Sequence, residues 1–158
     1  MPRVVRRRRI TAPAAALWSV ISDPYHLPRW WPRTTRVENV TGGEPQGRRW
    51  TQVLETRDGR GIRADYRCVS AAEEERYIFE QLLEGTPFEG FMRSARVEIR
   101  LRPTNAETEV SIASEQRLKG LSRLGSPMMR RATGRTLSEA LAGLERAAGE
   151  AAPSEAAS

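Results

Sequence analysis

The run TAPAAALWSVISDPYHLPRWWP, residues 11–32, constrains this chain more than any other stretch. Pro13 has a φ suited to a first helical turn, and Leu17, Trp18, Val20 and Ile21 recur behind it at helical spacing, so a short amphipathic helix is expected. Ser22, Asp23 and Pro24 stop that helix and start another, because Asp can cap it and Pro can occupy its first turn. Leu27, Trp30 and Trp31 give the second helix a large apolar surface, while Pro28 and Pro32 keep it short. The tryptophans Trp18, Trp30 and Trp31 have two readings. Large aromatics bury for packing, which makes them core; arranged around a void, the same rings would wall a ligand cavity.

Beyond Pro32 the period changes from helical to alternating, with turn residues about every ten positions. Residues 33–40 carry Val37 and Val40 and end at Gly42, Gly43, Glu44 and Pro45. Residues 48–56 set Trp50, Gln52 and Leu54 on one face, and Asp58 and Gly59 mark a tight turn. Ile62, Ala64, Tyr66 and Cys68 alternate with Arg63, Asp65 and Arg67, as in a sheet with one wet face. Residues 76–84 place Tyr77, Phe79, Gln81 and Leu83 together. The clearest strand, 91–102, sends Phe91, Arg93, Ala95, Val97, Ile99 and Leu101 one way and Ser94, Arg96, Glu98, Arg100 and Arg102 the other. That register holds only without a bulge before Ala95, which would turn Arg93 outward. Residues 108–118 direct Val110, Ile112, Ser114, Gln116 and Leu118 inward.

A last helix of about twenty residues is expected from Ser126 and Pro127, with Met129, Thr133, Thr136, Leu137, Ala140, Leu141 and Leu144 as one stripe. Gly143 lies near that stripe, and close approach to the sheet would offset its helical cost of about 1 kcal/mol. After Gly149 small residues leave nothing to anchor, so one folded domain over 1–148 and a flexible tail over 149–158 are expected.

Composition narrows the function classes. A length of 158 residues suits one domain large enough to hold both a core and a pocket. With 39% hydrophobic and 29% charged residues, and no apolar run long enough for a bilayer, a soluble protein without stable membrane insertion is expected. Cys68 and His26 are each the only residue of their kind, which excludes an internal disulfide and a Cys/His zinc cluster. A cytoplasmic protein lacking metal and cofactor fits these counts. The opening imitates a signal peptide, but Pro13 and Trp18 interrupt its apolar run and no small-x-small site follows Ile21. The net charge of +6 rests on arginines and the single Lys119, dispersed except at residues 6–9, whose alternate members face opposite sides of a strand. No basic stripe with stacking aromatics accompanies them, so no nucleic-acid partner is expected.

Ala12, Pro13 and Trp18, then Ser22, Asp23 and Pro24, then Leu27, Trp30, Trp31 and Pro32 resemble, in order, the opening of the START-like helix-grip (SRPBCC) superfamily. More narrowly they resemble its polyketide cyclase/dehydrase and lipid-transport branch, and the strand order and last helix extend the resemblance over residues 2 to 148. The resemblance implies an α+β helix-grip fold, a curved antiparallel sheet of about seven strands wrapped around a long C-terminal helix with two short helices after strand 1. It also implies a cavity between sheet and helix. The ligand would then meet Trp30, Trp50, Phe79, Phe91, Val97, Ile99, Val110, Ile112, Met129 and Leu137 as apolar wall, and Tyr66, Gln81, Arg93, Gln116, Thr133 and Thr136 as polar contacts. Arg93 is the sharpest of these, since a charge on the dry face needs a carboxylate, a ligand oxygen or water, unless it snorkels from the strand end.

Two functions follow from different classes. One is a module that binds a lipid, polyketide or other hydrophobic small molecule; the other is a cyclase or dehydratase acting on a poly-ketone in the same cavity. His26 sits in the early helical linker, so no catalytic triad is expected, and Asp65 and Glu80 fall outside the inner register. Binding is therefore favoured and no catalytic residue is assigned. A third reading, a partner-binding protein acting through its Trp-rich surface, applies if no cavity exists. A monomer and a homodimer are both compatible with these features.

Overall fold

The computed structural model describes residues 3–56, 58–120 and 126–156. Seven strands form one sheet: β1 (Arg3–Ile10), β2 (Thr34–Thr41), β3 (Arg49–Glu55), β4 (Gly61–Ala72), β5 (Arg76–Leu82), β6 (Met92–Pro103) and β7 (Thr108–Leu118). All neighbours are antiparallel, in the order β1-β7-β6-β5-β4-β3-β2. From β2 to β7 the sheet is a meander. The first strand joins it beside the last, with Arg3 opposite Glu115 and Ile10 opposite Thr108.

Two short helices, α1 (Ala14–Ile21) and α2 (Leu27–Trp30), bridge β1 and β2, and α3 (Ser126–Ala156) follows the sheet. Pro13 precedes α1 as its N-cap residue, at φ −70° and ψ 151°, and Leu17, Trp18, Val20 and Ile21 are buried behind it. Between the short helices a single 3-10 turn, Pro24–His26, is capped as the sequence predicts: the Tyr25 amide donates to Asp23 Oδ1 at 3.0 Å, with Pro24 at the first position. At 31 residues α3 exceeds the expected length.

The inward faces share one core. Ile10, Leu17, Ile21, Ile99, Ile112, Leu137, Leu141 and Leu144 are each almost wholly buried there. Gly143 serves a helix crossing rather than the expected approach to the sheet. A Cβ on it would lie 2.9 Å from Trp30 Cα and 3.1 Å from its carbonyl carbon, so α2 can rest on α3 only over a glycine. Among the described residues no helix is long and apolar enough to cross a membrane.

Candidate functional site

Beneath the first turns of α3 the sheet and helix do not close on each other. Met129, Ala132, Thr133, Thr136 and Leu137 roof a cavity of about 290 Å³ whose walls are Trp31, Gln52, Tyr66, Phe79, Gln81, Ala95, Val97, Ser114 and Gln116. Alternation explains the sheet's contribution, since each wall residue of β3 to β7 lies on the inward face of its strand. Aromatic rings stiffen one side. Tyr66 stacks on Trp50 with centroids 6.0 Å apart and 14° between planes, and Phe79 meets Tyr66 edge-on at 5.7 Å and Trp31 at 6.0 Å.

A slot opens in the sheet beside this cavity. The β5–β6 pairing ends at Glu80 opposite Arg96, although β5 continues to Leu82 and β6 begins at Met92. Both strands stay paired on their other sides, Gln81 with Tyr66 and Ala95 with Gln116. Gln81, Ala95 and Arg96 therefore border both the cavity and an outer groove that also holds Arg49, Arg67, Arg93, Arg117 and Glu115.

Of the residues expected from the sequence, Tyr66, Phe79, Gln81, Val97, Gln116, Met129, Thr133, Thr136 and Leu137 come together around this cavity. The others do not. Ile99 and Ile112 pair across β6 and β7 at 1% and 0% exposure in solid core, and Val110 is likewise fully buried. Trp50 lies behind Tyr66, and Trp30 is packed under α3 at the Gly143 crossing. Phe91 is 37% exposed, its ring against Phe88 at 5.9 Å, because it belongs to the turn before β6 and not to the strand.

Arg93 also faces away from the cavity. The ladder pairs Met92 with Leu118 and then Ser94 with Arg117, leaving Arg93 as an extra, exposed residue in a bulge. Met92 takes the inward place that regular alternation would have given its neighbour.

Trp31, one of the three tryptophans with a cavity-wall reading, does line the cavity, whereas sequence reasoning omits Gln52, Ala95, Arg96, Ser114 and Ala132, which line it too. The signal for Gln52, Ala95 and Ser114 was present, as they share the inward register of Trp50, Val97 and Gln116. Nothing in the stripe of α3 singled out Ala132.

The polar groups differ in how well they are satisfied. Trp50 Nε1 donates to Gln52 Oε1 at 3.1 Å, and Gln52 Nε2 donates to Thr34 Oγ1 at 3.2 Å, so this buried chain is complete. Thr136 Oγ1 donates to the Ala132 carbonyl at 3.1 Å. Gln81 Nε2, in contrast, is buried without a partner among the described residues. Burial pushes the Tyr66 phenol up to about 12, which keeps it a neutral donor at physiological pH. No carboxylate or imidazole lines the cavity among the described residues, and no group of three or more His, Cys, Asp or Glu could hold a metal. Deeper in the core, burial raises both Tyr77 and the free thiol of Cys68.

A seven-stranded antiparallel sheet gripping a long helix over a partly apolar cavity defines a START-like helix-grip protein. The chain belongs to the polyketide cyclase / dehydrase and lipid transport family, whose model matches residues 1–149. Among solved structures it is similar to a START superfamily protein from Mycobacterium smegmatis, at 16% identity and TM-score 0.76, covering 94% of this chain and 97% of the other. A protein from Thermus thermophilus matches at 19% identity and TM-score 0.74, covering 96% and 99%. The di-domain ARO/CYC StfQ of the steffimycin biosynthetic pathway matches at 16% identity and TM-score 0.73, over 99% of this chain and 53% of StfQ. At these identities the likeness is one of fold. No curated protein matches the sequence significantly.

Proposed function

We propose that the chain binds a compact, mainly apolar molecule bearing carbonyl or hydroxyl oxygens in the cavity under the first turns of α3, without transforming it. The observation that carries this reading is the wall. Aromatic and aliphatic side chains, Trp31, Phe79, Val97, Met129 and Leu137 among them, are interleaved with amides and hydroxyls, and the one charged residue of the described lining, Arg96, stands at the slot; such mixed walls hold small organic ligands. The volume of about 290 Å³ falls at the low end for such pockets. Gln81 Nε2 is desolvated and has no partner among the described residues, so a ligand oxygen accepting from it would offset an existing cost. Tyr66, held neutral, supplies a second donor on the same wall. The family and the likeness to an ARO/CYC protein favour a polyketide or lipid as the ligand class. The protein would work in the cytoplasm, with the ligand exchanging through the slot between β5 and β6.

A cyclase or dehydratase reading has one support, Tyr66 as a neutral acid able to polarise a ketone. It lacks a base, because no described carboxylate or histidine lines the cavity. Titration of an apolar fluorescent probe, with native mass spectrometry of the purified chain, tests the proposal. The parent should bind with about micromolar affinity, and Val97→Trp should abolish binding while the protein still melts cooperatively. A parent that takes up no probe, or a Val97→Trp variant that unfolds, would show a solid core instead. Turnover of a linear poly-ketone by the parent and not by Tyr66→Phe would favour the enzyme.

A further inference from the structure

Two stretches of this chain lack any acidic residue. Residues 1–22 contain Arg3, Arg6, Arg7, Arg8 and Arg9, and residues 116–138 contain Arg117, Lys119, Arg123, Arg130, Arg131 and Arg135. The fold lays β1 beside the first turns of α3 and so joins the two. There Arg3, Arg6, Arg130 and Arg131, with Val4 and Val5, line a cleft of about 260 Å³ that has no carboxylate among its described residues.

The neighbours show how unusual this is on the molecule. Arg8, next to Arg6 on the same face of β1, is held by Glu145 at 3.0 Å. Arg67 and Arg96 share Glu80 on the outer sheet face. Among the described residues Arg6 has only the carbonyl of Val5, to which Nη1 donates at 2.8 Å, and Arg3 reaches Glu98 and Glu115 at no better than 3.7 and 3.9 Å. A second observation shows that the cleft is shaped for its arginine. Gly134 is buried in the interior of α3, where glycine is unfavourable, and a Cβ there would fall on Arg6 Nη2 and lie 3.0 Å from Cζ. The missing side chain lets the guanidinium lie against the helix.

Like charges gathered in one recess raise its potential and draw a counter-ion, and guanidinium forks match the oxygens of a phosphate in paired hydrogen bonds. We propose that this cleft binds a phosphate dianion, free in solution or as the phosphomonoester headgroup of a lipid. The site is independent of the cavity ligand. Between the two, Val4, Met129 and Arg130 close a seam whose void of about 10 Å³ admits about one water.

The test titrates inorganic phosphate and pyrophosphate into the full chain at fixed ionic strength, following the amide signals of Arg6 and Gly134. In parallel, flotation is measured with phosphatidylcholine vesicles containing or lacking phosphatidic acid. Saturable shifts at both residues are expected, and Arg6→Gln combined with Arg131→Gln should weaken binding about tenfold or more. Gly134→Ala should weaken it several-fold with every arginine retained, an effect that diffuse surface charge would not produce. Both variants should bind the cavity probe as the parent does. Saturation by free phosphate assigns the dianion to solution, and flotation only with phosphatidic acid assigns it to a lipid; either supports the site. No saturable response to any of these, or affinity unchanged in either variant, overturns it.

Discussion

One helix covers one sheet in two different ways. From Leu137 to Ala148, the stripe Leu137, Ala140, Leu141, Leu144, Ala147 and Ala148 shares a closed core with Ile99, Leu101, Val110 and Ile112. Nearer its start, Met129, Thr133 and Thr136 look onto Tyr66, Gln81, Ser114 and Gln116 across a cavity. Branched aliphatic chains interdigitate at crystal-like density, and the space between them vanishes. Amide and hydroxyl ends cannot be pressed together without partners, and Gln81 Nε2 has none among the described residues. Which inward positions are polar therefore decides where the grip closes and where it stays open.

The largest expected effect tests the closed end. Leu141→Ala, at a residue only 2% exposed, should cost about 2 to 5 kcal/mol. Met129→Ala, over the cavity, should cost less than about 1 kcal/mol, since its side chain already borders empty space. Denaturant titration of both variants measures the contrast, and equal losses would mean that both ends are packed alike. The two helix glycines offer a finer contrast. Gly143→Ala drives a methyl into the Trp30 backbone and should destabilise by about 1 to 3 kcal/mol. Gly134→Ala meets only the flexible end of Arg6, so the ordinary helical gain of about 1 kcal/mol should survive.

At the open end the expected signs reverse. Gln81→Leu removes a buried Nε2 that has no partner among the described residues and should leave stability unchanged or raise it by about 1 kcal/mol, while probe affinity falls about tenfold. A variant that loses stability would show that the amide is satisfied by water in the free protein. The two tyrosines add a pH test of the same contrast. Burial raises Tyr66 from 10.0 to about 12 and raises Tyr77 as well. Each neutral phenol thus contributes stability that is complete below pH 10, where the unfolded chain begins to ionise, and is lost as pH climbs through the folded value. Melting temperature should fall between pH 10 and about pH 12, and Tyr66→Phe should make that fall shallower. A ligand that desolvates Tyr66 further should extend the decline for the parent to higher pH while leaving its onset near pH 10 in place, because it acts on the folded phenol alone.

The succession of strands along the chain, the short helices and the inward register of most strands were legible in the sequence because each depends on local spacing, whereas their arrangement in the sheet followed only from the family resemblance. Asp23 and Pro24 announce their turn, and Tyr66, Phe79 and Gln81 keep the alternation of their strands. What could not be read is where along the grip the cavity begins. Ile99 and Val97 lie on the same face of β6, yet only Val97 borders the void, while Ile99 is closed into the core cluster that also holds Leu17, Leu137 and Leu141. The role of Gly143 was hidden for a similar reason. Its partner, the Trp30 backbone, is a long-range neighbour that no periodicity reveals. A bulge is harder still, since it is one residue of slippage in an otherwise regular pattern.

Arg93 shows what that slippage changes, and its substitution should have the smallest effect of all. Regular alternation from Val97 back through Ala95 would bring its guanidinium under a ligand oxygen, where replacement would cost affinity. The bulge instead leaves Arg93 exposed in the outer groove with Arg49, Arg117 and Glu115, while Met92, 6% exposed, fills the inward place opposite Leu118. Arg93→Met should therefore keep probe affinity within about twofold and stability within about 0.5 kcal/mol, as for an ordinary surface position. Met92→Arg is the opposite experiment: a charge inserted at this buried inward position should cost about 3 kcal/mol or more. Calorimetric melting and probe titration of the two variants, side by side, read the register directly. If Arg93→Met is the damaging change and Met92→Arg the silent one, the bulge lies on the other side of residue 93 and the charged anchor belongs to the cavity.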